Sequence, residues 1–240
     1  MKTASIIIIG NEILSGRTKD TNSNYLAKIL VKKGIELREV RVIPDNHNII
    51  KSVINSESSL KDYVFTSGGI GPTHDDITAE AVASSFDVPL IVRDDAVELL
   101  AMNYKNGKKD LNEARLRMAR IPEGATLIKN KISGAPGFVI RNVFVMAGVP
   151  KIFEAMAQEI ILDLGSKNPI LSKVLKIFKT ESEIAERLRN YANKYKEISI
   201  GSYPFNNSGK FGVEIVIRHT DRNLLNKVFN EISIDFNEPQ

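Results

Sequence analysis

Ser5–Ile9, near the start of the chain, is a continuous apolar run in which every position after the serine is isoleucine. A run without polar alternation predicts a strand buried on both faces. From Asn22 to Lys33 the period changes. Leu26, Ile29 and Leu30 recur at helical spacing against Lys28, Lys32 and Lys33, and Gly34 follows as a stop. Glu36–Ile43 alternates as a strand, Asn48–Ser56 reads as a helix, and Asp62–Thr66 reads as a second buried strand. Asp76–Phe86 carries Ile77, Val82 and Phe86 on one side of a helix. Helices are predicted near Asp95–Asn103, Asn112–Arg120 and Ile152–Leu164, and strands near Thr126–Ile128, Gly137–Ile140 and Val143–Met146. Strands alternating with crossover helices predict a mainly parallel α/β sheet with helices on both faces.

Gly165-Ser166-Lys167-Asn168-Pro169 then reads as a linker. Beyond it the pattern is strand (Lys173–Phe178), helix (Ser182–Tyr195), strand (Ile198–Tyr203), strand (Phe211–His219) and helix (Asn223–Ile232). A β-α-β-β-α string predicts a small α+β module of split-βαβ type. The expected organisation is an α/β domain over residues 1–166 and the small module over 170–240. The module's Phe178, Tyr191, Tyr195, Tyr203, Phe205, Phe211, Phe229 and Phe236 fall mostly where apolar core positions are expected. Gly209-Lys210-Phe211-Gly212 joins two predicted strands and reads as a hairpin turn rather than as an RNA-clamping GxxG loop, which joins two helices.

Composition narrows the chemistry. The 240 residues are 42% hydrophobic and 26% charged, in the ordinary globular range, and contain no cysteine. That removes disulfides, thiolate zinc sites and a cysteine nucleophile, and it fits a reducing cytoplasm. Residues 1–170 hold 22 basic against 20 acidic side chains and residues 171–240 hold 11 against 9, so no basic arm concentrates charge. With the rings assigned to the core, the module is not expected to bind nucleic acid. The sequence pI of about 9.1 suits a phosphate-bearing small molecule as well as a polyanion. The apolar run Ile6–Ile9 stops at Gly10-Asn11-Glu12, short of a signal peptide's core, and no stretch is long enough to span a membrane.

The strongest chemical signal is Thr66–Asp76, TSGGIGPTHDD, between a buried strand and a helix start. In open α/β sheets, ligands bind beyond the carboxyl ends of strands, where main-chain N–H groups are free. Gly68, Gly69 and Gly71, flanked by Ser67 and Thr73, allow close approach of an anion to the backbone. The spacing is neither GxGxxG nor GxxxxGK[ST], so it is neither a dinucleotide fingerprint nor a P-loop. Thr73 and Asp76 also match a capping-box-like pair, the structural alternative. Asp75 and Asp76 would repel a bare phosphate and would hold one through a divalent cation. Gly10, Asn11 and Glu12 form a second strand-end loop on the same sheet edge, with Glu12 as a candidate site acid and Asp20 or Thr21 as a helix cap. Asn130 and Gly134, before Ala135-Pro136-Gly137, and Gly148, within Ala147–Pro150, lie in two further turns that read as turns when taken alone. His74 neighbours the acids and reads as dispensable; His47 and His219 have no companions.

In order along the chain, GNEILSG, DTNSNYLA, Pro44-Asp45, SGGIGPTHDDITAEAVA, the Asn130…GAPGF run and AGVP resemble the molybdopterin-binding (MoaB/Mog-like) family. The resemblance is to the amino-terminal domain of CinA proteins and the corresponding half of FAD synthases, and SYP at Ser202–Pro204 resembles the small module that follows there. It implies a three-layer α/β fold. It implies a phosphate or nucleotide site built from Gly10, Asn11, Ser67, Gly68, Gly69, Gly71, Thr73, Asn130, Gly134 and Gly148. It further implies a metal at Asp75 and Asp76, catalysis by these two and Glu12, and Mg²⁺, Mn²⁺ or Co²⁺ as cofactor. The implied activity is hydrolysis of a pyrophosphate such as ADP-ribose or FAD. The alternatives are molybdopterin adenylylation, in which the ligand is a pterin phosphate, and non-catalytic nucleotide binding. Neither a deamidase domain nor an FAD-forming domain falls within the 240 residues, so those activities are not expected. The expected setting is a cytoplasmic dimer or trimer.

Overall fold

The computed structural model of the chain describes residues 2–164, 168–207 and 209–237. Gly165, Ser166 and Lys167 of the predicted linker lie outside the described residues, and the chain divides there into two compact units. In the first unit β1 (Lys2–Ile9) is followed by a short α1 (Asn11–Leu14), α2 (Asn22–Val31), β2 (Ile35–Ile43), α3 (His47–Leu60), β3 (Tyr63–Ser67) and α4 (Thr78–Ser85). Then come β4 (Leu90–Val92), α5 (Asp94–Ala101), α6 (Glu113–Arg117), β5 (Arg120–Pro122) and β6 (Thr126–Ile128). The unit closes with β7 (Gly137–Ile140), β8 (Val143–Met146) and α7 (Pro150–Ile161).

The main sheet has the order β2-β1-β3-β8-β7-β6. Its first four strands run parallel; β7 runs against β8 because the chain reverses at Arg141-Asn142, with Arg141 at φ 52°, and β6 pairs antiparallel with β7, which returns it to the direction of the first four. β1 lies between β2 and β3 with helices on both faces, which explains the unbroken isoleucines. Ile7 and Ile9 pack with Ile50, Ile54 and Val82 of α3 and α4, while Ile6 and Ile8 pack with Leu26, Leu30 and Phe153 of α2 and α7. Each buried isoleucine is worth about 1.5–3 kcal/mol, so this strand anchors both layers.

Three local expectations change. α3 runs on to Leu60 because Glu57, fully buried, meets Arg41 of β2 at 2.9 Å and Lys61 at 3.8 Å. α4 begins at Thr78 instead of Asp76, since Asp76 is committed to a separate turn with Thr73. β4 and β5 pair as a small antiparallel sheet whose three-residue strands are too short to show alternation.

The second unit contains β9 (Leu171–Ile177), α8 (Glu181–Lys194), β10 (Ser199–Asn207), β11 (Lys210–His219) and α9 (Arg222–Asn237). β11 lies antiparallel between β9 and β10, the split arrangement expected. Thr180 and Glu183 form a capping box at the start of α8. Pairing of Asn207 with Lys210 makes the GxxG segment part of a strand-to-strand turn, although Ser208 lies outside the described residues. The placement of the aromatic residues is a correction. Tyr195 and Phe236 are buried, but Phe178, Tyr203 and Phe211 are 66%, 49% and 67% exposed. Among the described residues, no helix is long and apolar enough to cross a membrane.

Candidate functional site

Because β2, β1, β3 and β8 are parallel, their carboxyl ends share one sheet edge, and the order reverses direction between β1 and β3. Such a switch point leaves a crevice between diverging connections. Glycines make this one. A Cβ on Gly68, whose φ is +111°, would lie 2.2 Å from the Ile9 carbonyl oxygen, and a Cβ on Gly148 would lie 3.2 Å from Gly68 Cα. The ends of β1, β3 and β8 therefore meet backbone to backbone. Asn22, at the start of α2 and nearly buried, ties two of them together: its Nδ2 donates to Ser67 Oγ and to the Gly148 carbonyl, both at 2.8 Å.

Above this floor lies a cavity of about 540 Å³. Glu12, Asp45, Asp75 and Asp76 line it, and no Lys, Arg or His is among its lining residues. Asp45 Oδ2 accepts the Asn11 amide at 2.9 Å. Asp76 Oδ2 accepts both the amide and the hydroxyl of Thr73, at 2.8 and 2.6 Å. The Thr73 hydroxyl, its own amide and neighbouring His74 hold the Asp75 carboxyl below its ordinary value, so it stays ionised. Behind the glycine loop, Arg117 Nη2 donates to the Asp76 carbonyl at 3.3 Å beside a chamber of about 20 Å³, room for one water.

The fold brings Glu12, Gly68, Gly69, Gly71, Asp75, Asp76, Asn130 and Gly148 to the cavity wall, whereas Gly10, Asn11, Ser67, Thr73 and Gly134 do not line it. Two of the expected roles change. The Gly68 amide donates to the Met146 carbonyl at 3.1 Å, so this glycine supplies space while the Gly69 and Gly71 amides, which donate to nothing within the described protein, face the ligand role. Asn130 spends its carboxamide within its own loop, on Ser133 Oγ, the Ala135 carbonyl and the amides of Ile132 and Ser133, and so shapes the wall. Gly134 instead packs against Asn103. Asp45 was not among the predicted site acids; its signal was an acid directly after Pro44 at the end of the strand beside β1. Thr73 and Asp76 do not cap α4. No side chain caps it: Ile77 holds the N-cap position, and Thr78, the first helical residue, ties the helix to the glycine loop by donating its amide and hydroxyl to the Gly69 and Gly68 carbonyls at 2.9 and 3.0 Å.

Among the described residues no three Asp, Glu, His or Cys side chains converge as a metal cage. The donor set nevertheless fits a hard cation carried in with phosphate oxygens. Mg²⁺ takes one or two carboxylates and fills its shell with water and substrate.

The family described as "Probable molybdopterin binding domain" matches residues 5–171, and "FAD synthase, middle domain" matches residues 169–238. An Archaeoglobus fulgidus protein is 36% identical over 199 residues, covering 83% of this chain and 84% of that protein. A Caldicellulosiruptor saccharolyticus protein named as competence-damage inducible is 33% identical over 208 residues, 83% of this chain but 51% of its own length. The crystal structure of the protein CinA with unknown function from Thermoplasma acidophilum superposes with a TM-score of 0.62 at 35% identity, covering 68% of this chain and 98% of that one.

Proposed function

The chain belongs to the molybdopterin-binding domain family, and from that premise we propose that it is a divalent-metal-dependent pyrophosphatase of ADP-ribose, FAD or a related dinucleotide. The observation that carries this reading is the charge of the cavity: four carboxylates line it and no basic side chain does. A pyrophosphate meets net repulsion there unless it enters with a divalent cation. The cation would polarise phosphorus and lower the pKa of its bound water.

The chain's own residues supply the rest. Asp75 and Asp76 hold the cation, and the amides of Gly69 and Gly71 receive phosphate oxygens. Glu12 takes the proton of the attacking water as a new P–O bond forms and the bond to the bridging oxygen breaks. Hydrolysis of the pyrophosphate releases AMP and the other phosphate ester. Such in-line displacement needs positioning and charge, not a protein nucleophile.

The test is incubation of pure protein with ADP-ribose and FAD under Mg²⁺, Mn²⁺ and Co²⁺, with AMP measured. Metal-dependent AMP release is expected, and no release under any cation overturns the reading. The family match itself favours a second reading, a pterin phosphate as ligand in the same cavity. With no tryptophan in the chain, pterin fluorescence can be followed directly on titration, and saturable binding without AMP release would favour it.

A further inference from the structure

The second unit leaves one face of its sheet bare. α8 and α9 cover the other, around Ile184, Ile215, Val228 and Ile232. Register places Gly201, Val216 and Val174 in one row across the bare face, and Tyr203, Glu214 and Lys176 in the next. The row after that pairs Phe205 with Gly212, and Phe178 follows the end of β9 beside them. Val174, Tyr203 and Phe178 are 47%, 49% and 66% exposed.

Two glycines give this face its form. A Cβ on Gly201 would lie 3.2 Å from ring atoms of Tyr203, and one on Gly212 would lie 2.7 Å from the Phe205 ring. Each ring therefore lies down over a glycine and turns its other side outward. Phe178 stands edge-on to Phe205, centroids 5.9 Å apart. Lys176, paired with Glu214 at 3.0 Å, sits 5.6 Å from the Phe205 centroid. By strand alternation Lys210 and Arg218 share the face with Lys176, three cations against Glu214.

Size and charge select the occupant. Three strands about 4.8 Å apart and roughly six residues long at about 3.3 Å each give a footprint of about 300 Å². A stable protein interface needs about 800 Å² per partner, so a second copy is a poor fit. Flat aromatic rings within a cationic rim match unstacked bases joined by phosphates. We infer that this face is a stacking platform for single-stranded nucleic acid. The expectation of no nucleic-acid binding rested on the unit's small charge, 11 basic against 9 acidic side chains, and on these rings being core residues. The exposure of Phe178 and Tyr203 removes the second ground, and the first is met by the gathering of Lys176, Lys210 and Arg218 on one face.

The whole protein should be titrated with fluorescein-labelled oligo-uridine and oligo-thymidine of about ten nucleotides, with anisotropy read at about 50 and 200 mM salt. Micromolar binding that weakens with salt is expected, and the stronger of the two oligomers identifies RNA or DNA. Phe178→Ala and Tyr203→Ala should each weaken binding about tenfold, Tyr203→Phe should preserve it, and Phe211→Ala, on the opposite face of β11, should change it less than about twofold. An excess of ADP-ribose with Mg²⁺ should leave the titration unmoved, which separates this face from the carboxylate cavity. Absent binding, alanine variants that bind like wild type, or displacement by ADP-ribose would each overturn the inference. So would a dimer in light scattering that Tyr203→Glu dissociates.

Discussion

Replacing Gly68 by alanine tests the close approach of strand ends that forms the floor of the cavity. At φ +111° an alanine is strained by about 1–3 kcal/mol. Its methyl would also lie 2.2 Å from the Ile9 carbonyl, a main-chain atom fixed in the central strand, so relief requires movement of β1 or β3. Overpacking of that kind adds about 1–3 kcal/mol, for a total of about 4 kcal/mol. Two controls separate the contributions. Gly16, at φ +73°, has nothing within 4 Å of its Cβ position, so Gly16→Ala carries backbone strain alone, about 1 kcal/mol. Gly148 lacks a positive φ and its Cβ would meet Gly68 Cα at 3.2 Å, so Gly148→Ala carries a mild contact alone, about 1 kcal/mol. At about 2–4 °C per kcal/mol, Gly68→Ala should lower the melting temperature of the first unit by about 10 °C and each control by about 3 °C. Calorimetry on the full chain reads this directly. If Gly68→Ala melts within about 2 °C of Gly16→Ala, the strand ends do not meet as described.

The acids give a sharper functional test. Asp76→Asn keeps an acceptor for Thr73, so stability should change by less than about 1 kcal/mol while metal-dependent AMP release falls by orders of magnitude. Asp20→Asn is the control, because Asp20 holds the amides of Asn22 and Ser23 at the start of α2 and lines no part of the cavity; it should keep most activity. Glu57→Ala removes the buried partner of Arg41 and Lys61, which both keep Glu39 at 2.7 and 3.2 Å, and should cost about 1 kcal/mol in urea unfolding; no loss would refute the pairing as a stabilising one. The Lys2 ammonium, with the Thr3 amide and hydroxyl, holds the Asp62 carboxyl at about 2, below its unfolded value, so the contribution is complete above about pH 4 and is lost as pH falls toward 2. Lys2 and Asp62 are 57% and 30% exposed, so screening keeps the contribution small, and the gap between wild type and Asp62→Asn should close on acidification.

The local half of this protein was legible in its residues. The isoleucine run announced a central strand, helical spacing announced α2, and TSGGIGPTHDD announced a loop able to approach an anion, because each depends on neighbours within a few positions. Strand order is another matter. It put Asp45, from the end of β2, onto the same cavity as Asp75, and it carried Asn22 to Ser67 and Gly148, 45 and 126 residues away. Two features stayed hidden for one reason: hydrophobic spacing marks what is buried by apolar character alone. Glu57 is buried by charge pairing and extends α3, while Phe178 and Tyr203 are apolar and lie outside because the second unit has helices for only one face of its sheet. Sequence spacing determined which segments curl and which extend. The packing of those segments decided which side chains share a cavity, since that depends on which strand ends lie side by side, and no local period carries that information.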